Sequence, residues 1–136
     1  MTAGPHESST PEFDLVVRGE RTLTTAGIVA REIGVRDGRI VAIEPLGSDL
    51  DGAEIIELTP EQVMIPGLVD THVHVNEPGR TDWEGFDSAT RAAAAGGVTT
   101  LIDMPLNSIP PTVNVEALDA KRAAASGKTH IDVGFW

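Results

Sequence analysis

Asp70, His72 and His74 stand two residues apart in PGLVDTHVHVNEPG, the stretch from Pro66 to Gly79. On a strand this spacing puts all three side chains on one face, with Leu68 below them, and sends Thr71, Val73 and Val75 to the other. Neutral imidazoles bind divalent metals through nitrogen, and two on one strand supply adjacent ligands at a fixed angle. Asp70 is placed to orient such a ligand as an outer carboxylate. A plainer role also fits: paired histidines on a half-buried strand can simply hydrogen-bond to their neighbours. Two details favour the metal. The pair ends an apolar run, and a polar loop, Asn76 to Arg80, follows at once. Burying such groups without a partner would be costly.

The elements that must hold these residues change character near Pro66. Before it, DLVVRG and AEIIEL read as strands, and EIGVRDGRIVAIEP reads as two strands joined at Asp37-Gly38, a dipeptide that accepts the positive φ of a hairpin turn. After it, strand alternates with helix. GLVDTHVHV, VTTLIDMP and THIDVGFW are strands; DWEGFDSATRAAAAGG is a helix capped at Asp82 and stopped by Gly96-Gly97. NVEALDAKRAAASG is a second helix, capped by Asn114 and stopped at Gly127. This order implies parallel strands with helical crossovers, an α/β architecture, and apolar strands covered on both faces or closed into a barrel. The expected organisation is a disordered tail over 1–12, strands of a small β-sandwich over 13–65, and three β/α units over 66–136.

Composition removes several functions. The 136 residues carry a formal net charge of −11, with ten scattered Lys and Arg, so neither a nucleic-acid nor an anionic-membrane surface is expected. There is no cysteine, which excludes disulfides and thiolate metal sites and is compatible with a reducing cytoplasm, the expected location. The N-terminus lacks the pattern of a secretory signal, and His6 within it is read as solvated and inert.

The segment MIPGLVDTHVHVNEPGRTDWEGFDSATRAAAAGGVTTLIDMPLNSIPPTV resembles the amidohydrolase superfamily, within it the cyclic amidases, and among these the allantoinase branch. The entry signature PG-hydrophobic-hydrophobic-D-x-H-x-H is present, and the continuation NEPGR, WEGF and MPLN is similar to that branch. Dihydroorotases resemble the region too, but typically carry Arg where Asn76 stands and have a shorter Met-Pro-Asn turn. Hydantoinases usually depart from NEPG. The resemblance runs from about Phe13 to Trp136. It implies a metal-dependent (β/α)8 TIM barrel preceded by strands of a small β-sandwich. It also implies two divalent metals, usually zinc, that share a bridging hydroxide, with His72 and His74 matching ligands of the first. A carboxylated lysine, two further histidines and a late aspartate, the general base or proton shuttle, would complete the site. The implied reaction is hydrolysis of a hydantoin ring amide, allantoin to allantoate, in purine and ureide catabolism. The implied partners are a small cyclic ureide and further copies of the chain in a homo-oligomer.

Within that frame Asn76 and Asn107 are the substrate-binding candidates, since their amides both donate and accept, as a ureide or hydantoin edge requires. Turn stabilisation is the alternative for both. Asp103 is expected to be a hydrogen-bond acceptor inside the barrel, Glu77 and Arg80 a solvated ion pair, and Trp83 and Phe86 anchors of the first helix. His130 precedes the third strand, at the end opposite the chemistry. A barrel takes about 250 residues. Three strands of it are legible here, and the two lysines, Lys121 and Lys128, lie in the second helix and just after it. The carboxylated lysine, later histidines and final aspartate therefore have no counterpart. The expectation is an N-terminal fragment, an incomplete barrel with no catalytic residue of its own, inactive alone. A dihydroorotase- or hydantoinase-like specificity is one alternative, and a non-catalytic remnant or interaction module is another.

Overall fold

The computed structural model describes residues 11–136; His6 and most of the expected tail lie outside the described residues. The chain divides into two compact units, with the boundary between Pro66 and Gly67.

The first unit is a mixed four-stranded sheet of β1 (Phe13–Thr24), β2 (Gly27–Arg36), β3 (Arg39–Pro45) and β4 (Gly52–Glu57), in the order β3-β2-β1-β4. β1 pairs antiparallel with β2 and parallel with β4, and β2 pairs antiparallel with β3. The Asp37-Gly38 turn forms as expected, with φ of 52° and 69°, the left-handed pair that a two-residue hairpin demands. β1 runs further than the DLVVRG pattern implies. A bulge between Gly19 and Thr22 lets it continue, and a second hairpin closes where the Thr24 hydroxyl accepts the Ala26 N–H and donates to the Gly27 carbonyl. Phe13, Val16 and Ile33 form the buried apolar centre of the unit. Beside them lies Glu32, also buried, whose carboxylate takes the N–H groups of Gly47 (2.8 Å) and Leu50 (2.9 Å) and sits 3.5 Å from Arg18 Nε. A buried charge is tolerated here because two main-chain N–H groups and the nearby Arg18 guanidinium satisfy it where solvent does not.

The second unit is the α/β part: β5 (Leu68–Val73), α1 (Phe86–Ala95), β6 (Val98–Asp103), α2 (Val115–Ala125) and β7 (Asp132–Phe135). Its three strands are parallel in the order β5-β6-β7, successive steps of a (β/α)8 barrel. Val75, Phe86 and Ala125 are its buried centre, with Phe135 edge-on to Phe86 at 6.1 Å.

Three expectations need correction. β5 is not covered on both faces: Leu68 and Val69 are 50% and 60% exposed, because the strand pairs only with β6 and no described element borders its other edge. It also ends at Val73, since the Val75 N–H goes to the Asp103 carboxylate and that of Asn76 to the Glu84 carbonyl, not to a strand neighbour. The first helix starts after Gly85 and not at Asp82. The carboxylate of Glu77 accepts the Phe86 N–H at 3.0 Å, doing from a distance what an N-cap side chain does locally. A Cβ at Gly85 would come within 3.0 Å of that carboxylate and 2.9 Å of Thr81, so glycine is what lets Glu77 reach the helix. The second helix does begin as expected, with Asn114 Oδ1 accepting the Ala117 N–H at 2.8 Å.

Candidate metal centre

His72 and His74 lie together at the C-terminal end of β5, their rings 5.4 Å apart and inclined at 63°. His72 is the last but one residue of the strand and exposed; His74 is just beyond the strand and half-buried. The two rings stay together although the register of β5 against β6 slips between Asp70 and Val73, so strict alternation does not carry through to His74. His74 Nδ1 is buried with no hydrogen-bond partner, and so is Asn76 Oδ1. Two such polar atoms, two residues apart beside an open imidazole pair, suit a cation and a polar ligand that would satisfy them. Asp70 lies on the same strand, but one carboxylate oxygen accepts the main-chain N–H of His72 at 3.0 Å. What it steadies directly is the backbone of that histidine. Among the described residues, no three His, Cys, Asp or Glu come together as a metal-holding group. The pair thus fits two positions of a metal and leaves the others to be filled.

The loops after β5 and β6 run side by side. Ile109 N–H donates to the Pro78 carbonyl at 2.8 Å, and Gly79, at φ 94°, has no room for a Cβ, which would meet Ile109 at 2.6 Å. This brings the loop carrying Asn107 against the loop that follows Asn76. Asn107 is exposed and itself left-handed, at φ 72°, a conformation asparagine tolerates better than most residues. Its turn role is therefore visible, and its amide remains free for a ligand.

Several neighbours depart from expectation. Glu77 is buried, 4% exposed, and pairs with Lys128 in addition to Phe86 N–H; it makes no solvated pair with Arg80. Arg80 instead lies over the indole of Trp83 at 5.0 Å. Phe86 is a buried anchor, but Trp83 is 67% exposed and anchors nothing. Asp103 is the internal acceptor expected: one oxygen takes the Val75 N–H at 2.8 Å. Its other oxygen pairs with Lys121, a helical lysine whose place in the sequence suggests a position away from the strand ends. The ammonium reaches the end of β6 all the same, 3.4 Å from the Met104 carbonyl and 3.2 Å from Ser108 Oγ. Burial pushes the Asp103 carboxyl up, and the Lys121 ammonium and the Val75 N–H pull it back. A signal for Lys121 was present: Ala117, Lys121 and Ala125 fall four apart on one face of α2, and all three are buried. His130 Nε2 bonds to Asp87 at 2.9 Å, and the bond holds the Asp87 carboxyl below its usual range. That pair precedes β7, away from the imidazoles' end of the sheet.

Parallel strands joined by helices, with the chemistry-bearing side chains gathered where the strands end, define a barrel-type α/β chain. Residues 63–136 match the amidohydrolase family, and the chain belongs to that family. It is 53% identical over 125 residues to the allantoinase of Streptomyces avermitilis, covering 92% of this chain and 28% of that protein. It is 48% identical to the allantoinase of Rubrobacter xylanophilus, over 91% of this chain and 27% of the relative. Among solved structures it resembles the L-hydantoinase (dihydropyrimidinase) of Arthrobacter aurescens, with a TM-score of 0.80, 31% identity, and coverage of 90% of this chain and 27% of that one. The D-hydantoinase of Bacillus sp. AR9 is similar at a TM-score of 0.71, 31% identity, and coverage of 89% and 26%. The chain thus spans about a quarter of the length of the curated relatives it matches.

Proposed function

We propose that this chain supplies the first two metal ligands and part of the substrate pocket of a cyclic amidohydrolase whose preferred substrate is allantoin, opened to allantoate in ureide catabolism. The observation that carries the reading is the imidazole pair at the end of β5, beside two asparagine-bearing loops, in a chain this similar to allantoinases. His72 and His74 would hold the metal. When bound, divalent ions, two zinc ions in our reading, supply Lewis acidity and a water of lowered pKa. Asn76 and Asn107 would orient the ureide through amides that both donate and accept. Asp70 would keep His72 in place through its backbone. Completion of the metal set and the general base would come from residues beyond these 136, so the activity is proposed for the whole protein, a homo-oligomer in a reducing cytoplasm. Hydantoinase-like specificity is the second reading, favoured by the structural likeness to the Arthrobacter aurescens enzyme.

The intact protein from its source, offered allantoin, dihydroorotate and hydantoins separately, decides between them. Allantoin turned over fastest is the expected result; turnover of the others alone overturns the substrate assignment. The intact mass of the same preparation shows whether it extends well past 14.3 kDa, as the proposal requires.

A further inference from the structure

Asp103 and Lys121 are fully buried, carry opposite charges, and lie on different elements, one ending β6 and the other midway along α2. Neither is among the residues proposed to hold the metal or the substrate. Desolvating two charges is expensive, and a well-packed apolar pair often serves stability as well or better. Their bonds show where that cost is spent. Asp103 holds the Val75 N–H, the backbone between His74 and Asn76. Lys121 holds the Met104 carbonyl and the Ser108 hydroxyl, on either side of Asn107 in the chain. Ser108 in turn donates to the Pro110 carbonyl at 3.1 Å and shapes the loop further.

We infer that Asp103 and Lys121 are a positioning pair that locks the β5 exit, with His74 and Asn76, to the loop bearing Asn107, so that metal ligand and substrate-binding amides keep one mutual geometry. The inference rests on the proposed metal and substrate reading and adds a device that this reading does not contain. A purely structural pair would stabilise the unit without affecting the imidazoles. A positioning pair changes the ligand field and the substrate affinity when broken.

The test uses the intact protein loaded with cobalt(II), whose visible bands report ligand geometry independently of turnover. Lys121→Met, Asp103→Asn and Ser108→Ala are compared with Thr90→Val, a buried control on α1. The expected result is altered cobalt bands and about ten- to a hundredfold faster loss of metal to a chelator for Lys121→Met and Asp103→Asn. Ser108→Ala should raise KM for allantoin with kcat little changed, and Thr90→Val should leave bands and KM as they were. Lowered melting temperature with unchanged bands, chelation rate and KM overturns the inference. If Lys121→Met does not fold, Ser108→Ala decides by the same criteria, since it removes one hydroxyl and no charge. Failure of the underlying reading shows separately: cobalt bands insensitive to His72→Ala sink the metal assignment and the inference with it. Normal bands without allantoin turnover sink only the substrate, and the chelation rates still decide.

Discussion

His72 and His74 carry the proposed metal chemistry, and their juxtaposition is local. Two side chains separated by one residue at the end of a strand need no long-range packing to be brought together, which is why the pair is legible in the letters alone. His72→Ala or His74→Ala in the intact protein should weaken zinc binding by more than the about ten- to hundredfold that follows loss of an outer partner. Metal content after dialysis against a weak chelator measures it. Lys121 was hidden for the opposite reason. Its helical position is obvious, but where a long flexible side chain ends depends on which way the helix faces the sheet, and Ala117 and Ala125 give only that direction. Glu77 was misread because its partners, Phe86 and Lys128, lie 9 and 51 residues away.

Glu32 allows a pH prediction at the same scale. Burial alone would raise its carboxyl, but the N–H groups of Leu50 and Gly47 and the nearby Arg18 outweigh that and hold it below the ordinary range. A depressed folded value contributes stability in full above the unfolded pKa, about 4.3, and loses it as pH falls through the folded one. Urea unfolding followed from about pH 6 downward should therefore show an acid limb that Glu32→Gln flattens. Equal acid limbs in the two proteins would place the sensitive carboxylate elsewhere.

At the scale of elements, alternation and turn chemistry carried most of the fold. The Asp37-Gly38 hairpin, the Asn114 cap and the β/α order are all decided by neighbours within a few residues. The start of α1 was not, because its first N–H is satisfied by Glu77 across a loop and Asp82 has no part in it. Asn114→Ala should accordingly cost about 1 kcal/mol in the denaturant unfolding of the α/β unit, as loss of a working cap does. Asp82→Ala should stay within about 0.5 kcal/mol, as surface changes usually do. A larger loss at Asp82 than at Asn114 would reverse the assignment of the two helix starts. The early end of β5 has the same origin as the misplaced cap: a side chain from another element takes a main-chain donor that a strand partner would otherwise hold.

At the scale of the molecule, both sheets have edge strands with no partner among the described residues: β3 and β4 in the first unit, β5 and β7 in the second. Ile40, Val41, Ile43, Ile55 and Ile56 are exposed on the first of these. Unpaired edges and exposed apolar side chains template association, while a net charge of −11 opposes it. The 136-residue chain produced by itself should be dispersed near neutral pH and associate as pH approaches the sequence pI of about 4.6, where the charge vanishes. Light scattering across that range measures this; a monomer at all pH values would mean that the edges are protected within the chain itself.

The reach of Lys121 has a consequence for which substitutions the chain can accept over time. Asp119, Ala120, Arg122 and Ala123 face solvent on the same helix and are free to drift. Position 121 is not, and neither are 103 and 108: a change at any one strands the polar groups of the others in a dry interior. These three sites, scattered over a strand, a loop and a helix, depend on one another's polar groups, so the cost of changing one is set by what stands at the other two.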